Sequence, residues 1–239
     1  MAQNLDPDFE DPRIRRALEL MLETRAAASM NGDPPVGWKI AINDPSTQAR
    51  LGLSGPLLGF LTAARVFPSE TIALPAGGVL LVEAEMALRL RKEVSTDAGL
   101  MQCQNAIDAI APALEVLSID GPLHDLDLLA QKNIYHAGVR FGPWQPLPAG
   151  FTSAQLEVEL RRDGDVVAGL NPQLVVGDPG EIVFFVNRAL ARFGERLRAD
   201  EYIICGSLNP PSFIRHGSRI DATIRPLGSV ALAIPSIRL

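Results

Sequence analysis

Twelve residues, Val79 to Leu90, alternate so regularly that they restrict what the chain can fold into. The run reads Val-Leu-Leu-Val-Glu-Ala-Glu-Met-Ala-Leu-Arg-Leu. Successive side chains of a strand point to opposite faces, so Leu80, Val82, Ala84, Met86, Leu88 and Leu90 form one wholly apolar face. The other face presents Glu83 and Glu85, roughly 6.5 Å apart along the strand. At an effective dielectric of about 20, two carboxylates at that separation repel by roughly 2.5 kcal/mol. A bound cation, a basic partner or full solvation relieves the repulsion.

Glu115 narrows these options. It lies in Pro112-Ala113-Leu114-Glu115-Val116-Leu117, a second apolar, strand-like segment, and an acid in such a segment is rarely left without a partner. Three carboxylates from two strands, with no His or Cys ligands nearby, suit a hard divalent ion. Mg2+ or Mn2+ fits, with open positions for substrate, and Zn2+ is disfavoured. Lys39, in Val36-Gly37-Trp38-Lys39-Ile40-Ala41-Ile42, shares a face with Gly37 and Ala41 while the larger residues pack the other side. It reads equally as a snorkelling surface lysine or as a cation set to receive an anionic substrate.

The remaining composition excludes several classes. At 239 residues and 47% hydrophobic the chain can bury a substantial core and is not disordered. Its 22 basic and 28 acidic residues give a net charge of −6, which argues against a nucleic-acid groove. No apolar run approaches the roughly 20 residues of a membrane span, so no membrane partner is expected. Asp6, Asp8, Glu10 and Asp11 make the first residues unlike a secretory leader. Cys103 and Cys205 are far apart and form no C-x-x-C. A soluble, cytoplasmic protein is the expectation. Ser207 follows Gly206 without a G-x-S-x-G elbow, so no serine hydrolase is signalled. His124, His136 and His216 show no ligand spacing and read as surface or turn histidines.

Periodicity places three helices and several strands. Asp11 caps a first helix, Pro12 fits its first turn, Ile14, Leu18 and Met21 share a face, and Gly32 stops it. Asp178-Pro179-Gly180-Glu181 is a capping box ahead of Ile182, Val186, Ala189 and Phe193, with Gly194 closing the helix. A third helix is expected from about Thr96 to Ile110. Gln155 to Arg161 and Asp165 to Gly169 form a hairpin about Asp163-Gly164. Tyr202 to Cys205, Arg219 to Arg225 and Val230 to Ile234 are further strands. With no βαβ rhythm, the expected class is α+β, dominated by mixed sheet.

In this order, Val36-Gly37-Trp38-Lys39-Ile40, Gln48, Leu51-Gly52 and Gly55-Pro56 with Gly59 resemble the 2-keto-4-pentenoate hydratase branch of the fumarylacetoacetate hydrolase superfamily. So do Val82-Glu83-Ala84-Glu85, Ala113-Leu114-Glu115-Val116, Asn133 before Gly138, the Asp200 to Ser207 segment, and Gly217 with Leu227-Gly228-Ser229-Val230. The resemblance covers about residues 35 to 235. It implies mixed β-sheets curling into a roll with a few flanking helices, assembled as a homo-oligomer, dimeric or larger. It also implies Mg2+ or Mn2+ on Glu83, Glu85 and Glu115, and Lys39 at the 2-oxo acid end of a small-molecule substrate. Gly206, Ser207 and Leu208 would line the pocket through their backbone, and Lys39 and Glu83 would take part in catalysis.

The chain departs from the family pattern at several places. Leu57 stands where an acid with a plausible proton-transfer role is usual, Lys132-Asn133-Ile134-Tyr135 replaces Asp-Asn-Ala-Ser, and Ile42-Asn43-Asp44 replaces Leu-Thr-Ser. Asp44 or a metal-bound water is then left as base, and Lys132 is either a second-carboxylate ligand or a surface residue. The expected organisation is a helical arm over residues 1–34 and a catalytic domain over residues 35–239. The expected activity is metal-dependent hydration of a short 2-hydroxy-2,4-dienoate in aromatic-compound catabolism. Rivals are decarboxylation of a 2-oxo dioic acid, carbon–carbon hydrolysis of an acylpyruvate, and a catalytically drifted subunit partner. The extra His and Glu pair usual in hydrolytic members is not found near the N-terminus, and Leu57 is the feature that favours drift.

Overall fold

The computed structural model describes residues 11–74 and 79–236; Asp6, Asp8 and Glu10 lie outside them. Asp11 caps α1 (Pro12–Met30) by accepting the Arg13 backbone N–H. β1 (Pro35–Ala41), α2 (Pro45–Leu51) and β2 (Leu57–Thr62) follow, then β3 (Val79–Leu90), α3 (Leu100–Gln104), β4 (Ile107–Ile119) and α4 (Leu126–Gln131). Next come β5 (His136–Phe141), β6 (Gln145–Pro146), β7 (Glu157–Arg162), β8 (Asp165–Gly169) and α5 (Pro179–Ala191). β9 (Tyr202–Ser207), β10 (Ser212–Phe213), β11 (Arg219–Arg225) and β12 (Gly228–Ala233) are the last strands of the described residues.

Among the described residues the strands form two sheets. The larger runs β2-β1-β9-β3-β4-β5, with β10 paired to β3 and β6 to β4; the smaller runs β12-β11-β7-β8. β1 and β9 are parallel and the other pairs antiparallel, which is the mixed sheet that the absent βαβ rhythm implied. Asp163 and Gly164 both take positive φ, 55° and 94°, as the two-residue turn joining β7 to β8 requires.

The two faces of the larger sheet are covered differently. Leu80, Val82, Ala84, Met86, Leu88 and Leu90 are all buried in the main core, with Trp38, Ile40, Leu114 and Val116. Ile14, Leu18 and Met21 of α1 reach the same core, where Glu201 holds the helix. The Glu201 carboxylate accepts from the Trp38 Nε1–H (3.1 Å), from Arg25 (3.3 Å) and from the Arg198 backbone N–H (2.9 Å). The Arg25 guanidinium also lies 4.4 Å from the Trp38 ring centre. On the opposite face Ala87, Ala113, Val139, Leu61 and Ile204 make a smaller cluster at one end. Glu85, Glu83 and Glu115 come next along that face.

The helix expected over Thr96 to Ile110 is corrected. Only Leu100–Gln104 is helical, and Ile107 to Ile110 begin β4. The gain from pairing with β3 along nearly its full length outweighs the local helical preference of this stretch. Pro112 is tolerated inside β4 because its missing N–H falls where β5, ending its pairing at Ala113, gives way to β6 at Ile110.

Replacing Glu201 by Ala removes the acceptor for three donors and leaves Arg25 unpaired at a mostly buried position. Chemical denaturation is expected to show a loss of about 2–4 kcal/mol. A loss under about 1 kcal/mol would contradict this account of how α1 is held.

Candidate metal centre

The antiparallel register of β3 and β4 sets Glu83 directly opposite Glu115, with Glu85 one pair further along on the same face, opposite Ala113. One oxygen from each carboxylate lies within 4.8 Å of the others. Glu85 and Glu115 are buried and Glu83 half-buried.

Each acid has a different environment. The Glu85 Oε2 accepts the Gly206 backbone N–H at 2.9 Å, while its buried Oε1 has no hydrogen-bond partner. Burial, followed by the charge of Glu115, pushes the Glu85 carboxyl well above its ordinary value. Burial and Glu115 raise Glu83 in the same direction. Glu115 shifts the other way. Burial alone would raise it, but the Lys39 ammonium and the His136 ring outweigh that and hold it below the ordinary carboxylate range. Lys39 Nζ donates to the Glu115 Oε1 at 2.5 Å, and His136 Nδ1 meets the same oxygen at 2.6 Å.

His136 corrects the expectation of a surface or turn histidine, since its side chain is only 1% exposed. Burial lowers its pKa, so the ring is neutral near pH 7. Facing an ionised carboxylate, Nδ1 must carry the proton, which leaves the buried Nε2 as an unpartnered acceptor. Spacing along the sequence could not show this contact. His136 lies beside Glu115 only because β5 pairs with β4.

Lys39 is buried, and the room for its stem comes mainly from across the strand pair. Gly59 is its direct partner on β2, and a Cβ there would fall 2.9 Å from the Lys39 Cε. Gly37, by contrast, abuts the Tyr202 carbonyl. The buried group of three carboxylates and one ammonium carries a formal charge of −2, which one divalent cation cancels. Hard oxygen donors, an orphaned buried Glu85 oxygen and that charge balance all fit a divalent ion.

Glu83, Glu115, Lys39 and Ser207 line the inner end of a cavity of about 460 Å³. Ser207 is held by Asn43, whose Nδ2 donates to the Ser207 carbonyl at 2.9 Å and whose Oδ1 accepts the Ser207 N–H at 3.2 Å. The Ser207 hydroxyl donates to the Asn209 carbonyl. Gly206 serves Glu85, and the Leu208 N–H bonds the Ala84 carbonyl within the sheet. Lys132 is not brought to this cavity. It caps the C-terminal end of α4, and its ammonium pairs with Asp120 at 3.1 Å on the surface. Leu57 is buried in the core. Asp44 does line the cavity, as the N-cap of α2. Burial raises its carboxyl, but donors from Ser46 and Thr47 outweigh that and hold it low, which makes it a weak base.

The environments predict opposite stability effects from two equivalent substitutions, measured on metal-free protein. Glu85→Gln keeps an oxygen for the Gly206 N–H and removes a carboxyl that burial and Glu115 make costly to ionise, so stability should rise by about 1–2 kcal/mol. A carboxyl whose folded pKa is raised costs stability only where the unfolded group ionises, so the gain appears above about pH 4.5 and vanishes below it. Glu115→Gln strips Lys39 of its partner and should cost about 3 kcal/mol. Losses in both variants across that pH range would contradict the assignment. Mn2+ titration of the Gln variants at positions 83, 85 and 115 should show affinity at least tenfold weaker in each, and unchanged affinity in all three would rule the site out.

Comparison with known proteins matches the same architecture. The family model described as fumarylacetoacetate (FAA) hydrolase C-terminal matches residues 49–234. A 2-keto-4-pentenoate hydratase of Paraburkholderia xenovorans (strain LB400) is 29% identical over 229 residues, covering 93% of this chain and 84% of the relative. A 4-oxalocrotonate decarboxylase of Pseudomonas sp. (strain CF600) is 24% identical, covering 94% and 86%. Among solved structures, the 4-oxalocrotonate decarboxylase of Pseudomonas putida G7, complexed with magnesium and adipate, superposes with a TM-score of 0.83 at 22% identity. That superposition covers 95% of this chain and 88% of the other. The chain belongs to the fumarylacetoacetate hydrolase family.

Proposed function

We propose that this protein is a divalent-metal-dependent hydro-lyase that adds water to a 2-hydroxy-2,4-dienoate, a small-molecule 2-oxo acid precursor. The observation that carries the proposal is the convergence of Glu83, Glu85 and Glu115, with Glu83 and Glu115 lining a mostly apolar cavity. The hydratase named among the relatives supports the same choice. Glu83, Glu85 and Glu115 would hold Mg2+ or Mn2+, which would supply Lewis acidity to the 2-oxo acid end of the substrate.

The chain's own residues do the rest. Lys39 keeps Glu115 ionised and offers its remaining N–H donors to the substrate carboxylate. The Gly206 N–H aims Glu85, and His136 fixes the rotation of Glu115. Glu83, the half-buried member, is the acid at the substrate side. The Asn43 amide holds the Ser207 backbone at the inner wall.

Decarboxylation of a 2-oxo dioic acid is the nearest rival, and the cavity weighs against it. A second carboxylate needs a cation on the distal wall. Beyond Lys39 the described lining offers only Arg50, which is exposed. Placement of Lys132 outside the cavity removes the other candidate. A cytoplasmic homo-oligomer acting in aromatic-compound catabolism accords with this function.

The test is spectroscopic. With Mg2+ or Mn2+ present, the protein should bleach the ultraviolet absorbance of 2-hydroxypenta-2,4-dienoate or a longer homologue, and chelation should abolish the loss. Release of CO2 from 4-oxalocrotonate without dienoate hydration would instead assign the decarboxylase activity. Intact metal binding with neither activity would favour the drifted subunit partner. Lys39→Met should raise KM at least tenfold, and an unchanged KM would remove Lys39 from the substrate.

A further inference from the structure

The cavity extends well beyond the carboxylates, along a ladder set by the register of β3 and β4. Glu83 pairs with Glu115, Leu81 with Leu117, and Val79 with Ile119. Side chains two residues apart on a strand share a face and stand about 6.6 Å apart. The Leu81–Leu117 step therefore lies one such interval from the acids, and Ile119 lies about 13 Å away. Leu81, Leu117 and Ile119 all line the cavity and are only half-buried, and Leu123 at its rim is 48% exposed. Apolar surface left open inside a cavity is surface awaiting an apolar ligand.

Two wall residues carry backbone strain. Ile42 and Ile134 both line the cavity with positive φ, 56° and 52°, a conformation that β-branched side chains rarely adopt. Glycine would adopt it without strain, yet both positions retain branched apolar side chains facing the substrate space. The polar wall groups, meanwhile, are occupied with one another. Asp44 is bonded to Ser46 and Thr47, and Arg50 donates to the Thr47 hydroxyl.

A five-carbon dienoate is too small for this space. At about 1.3 Å per carbon, following from C–C bonds near 1.5 Å, it spans only about 5 Å and stops before the first leucine pair is passed. We infer that the preferred substrate is a mono-acid bearing an unbranched apolar tail, at least eight carbons long in all, laid along Leu81, Leu117 and Ile119. The inference rests on the hydro-lyase reading for the head of the substrate and adds the identity of its tail.

The test compares chain lengths on the metal-loaded protein. Burying one methylene is worth about fourfold in affinity, so three set a ceiling of about sixtyfold. For 2-hydroxyocta-2,4-dienoate, kcat/KM should exceed that for 2-hydroxypenta-2,4-dienoate at least tenfold. In calorimetry 2-oxooctanoate should bind at least tenfold tighter than 2-oxopentanoate. Turnover of both dienoates at similar kcat/KM would overturn the tail and leave the hydro-lyase assignment standing. No turnover with a tenfold binding preference would overturn the activity and keep the tail. No turnover with equal or no oxo-acid binding would overturn both. Ile119→Gln should shrink the eight-to-five ratio at least threefold, and an unchanged ratio would overturn the path along Ile119.

Discussion

Like charges confronting one another across a strand pair are the constraint from which the rest of the site follows. Glu83 and Glu115 face each other with Glu85 alongside, and no local preference would choose that arrangement. The opposite face enforces it. Six apolar residues of β3 are buried there, each worth about 1.5–3 kcal/mol when large, against a repulsion of about 2.5 kcal/mol per carboxylate pair. Slipping the register by one residue would turn the apolar face to the cavity, so the core wins and the acids stay together.

The surroundings then divide the three acids by role. Lys39 and His136 both meet one oxygen of Glu115 and stabilise its ionised form, whereas Glu85 has one backbone donor and an unpartnered oxygen. The cluster is therefore unfavourable without a cation and neutral with a divalent one. Beyond the acids the cavity is lined largely by apolar side chains, and Lys132 does not reach it.

Features written in short-range pattern were legible in the sequence. The bounds of β3, the Asp163-Gly164 turn and the caps of α1 and α5 follow from period, turn chemistry and capping residues within a few positions. So did the convergence of Glu83, Glu85 and Glu115, because the neighbouring apolar segment paired with β3. Features set by long-range pairing were hidden. Ile107 to Ile110 look helical in isolation and become strand only against β3. His136 reads as a turn histidine until β5 lays it beside Glu115, and Gly59 shows its purpose only as the partner of Lys39. Lys132 read either as a ligand for a second carboxylate or as a surface residue, and the structure pairs it with Asp120 on the surface.

The most direct measurement is anomalous diffraction from crystals grown with Mn2+ and oxalate. The account predicts one manganese peak bounded by oxygens of Glu83, Glu85 and Glu115, with oxalate on its cavity side. Carboxylates turned away from one another around an empty centre, or manganese bound elsewhere, would contradict it.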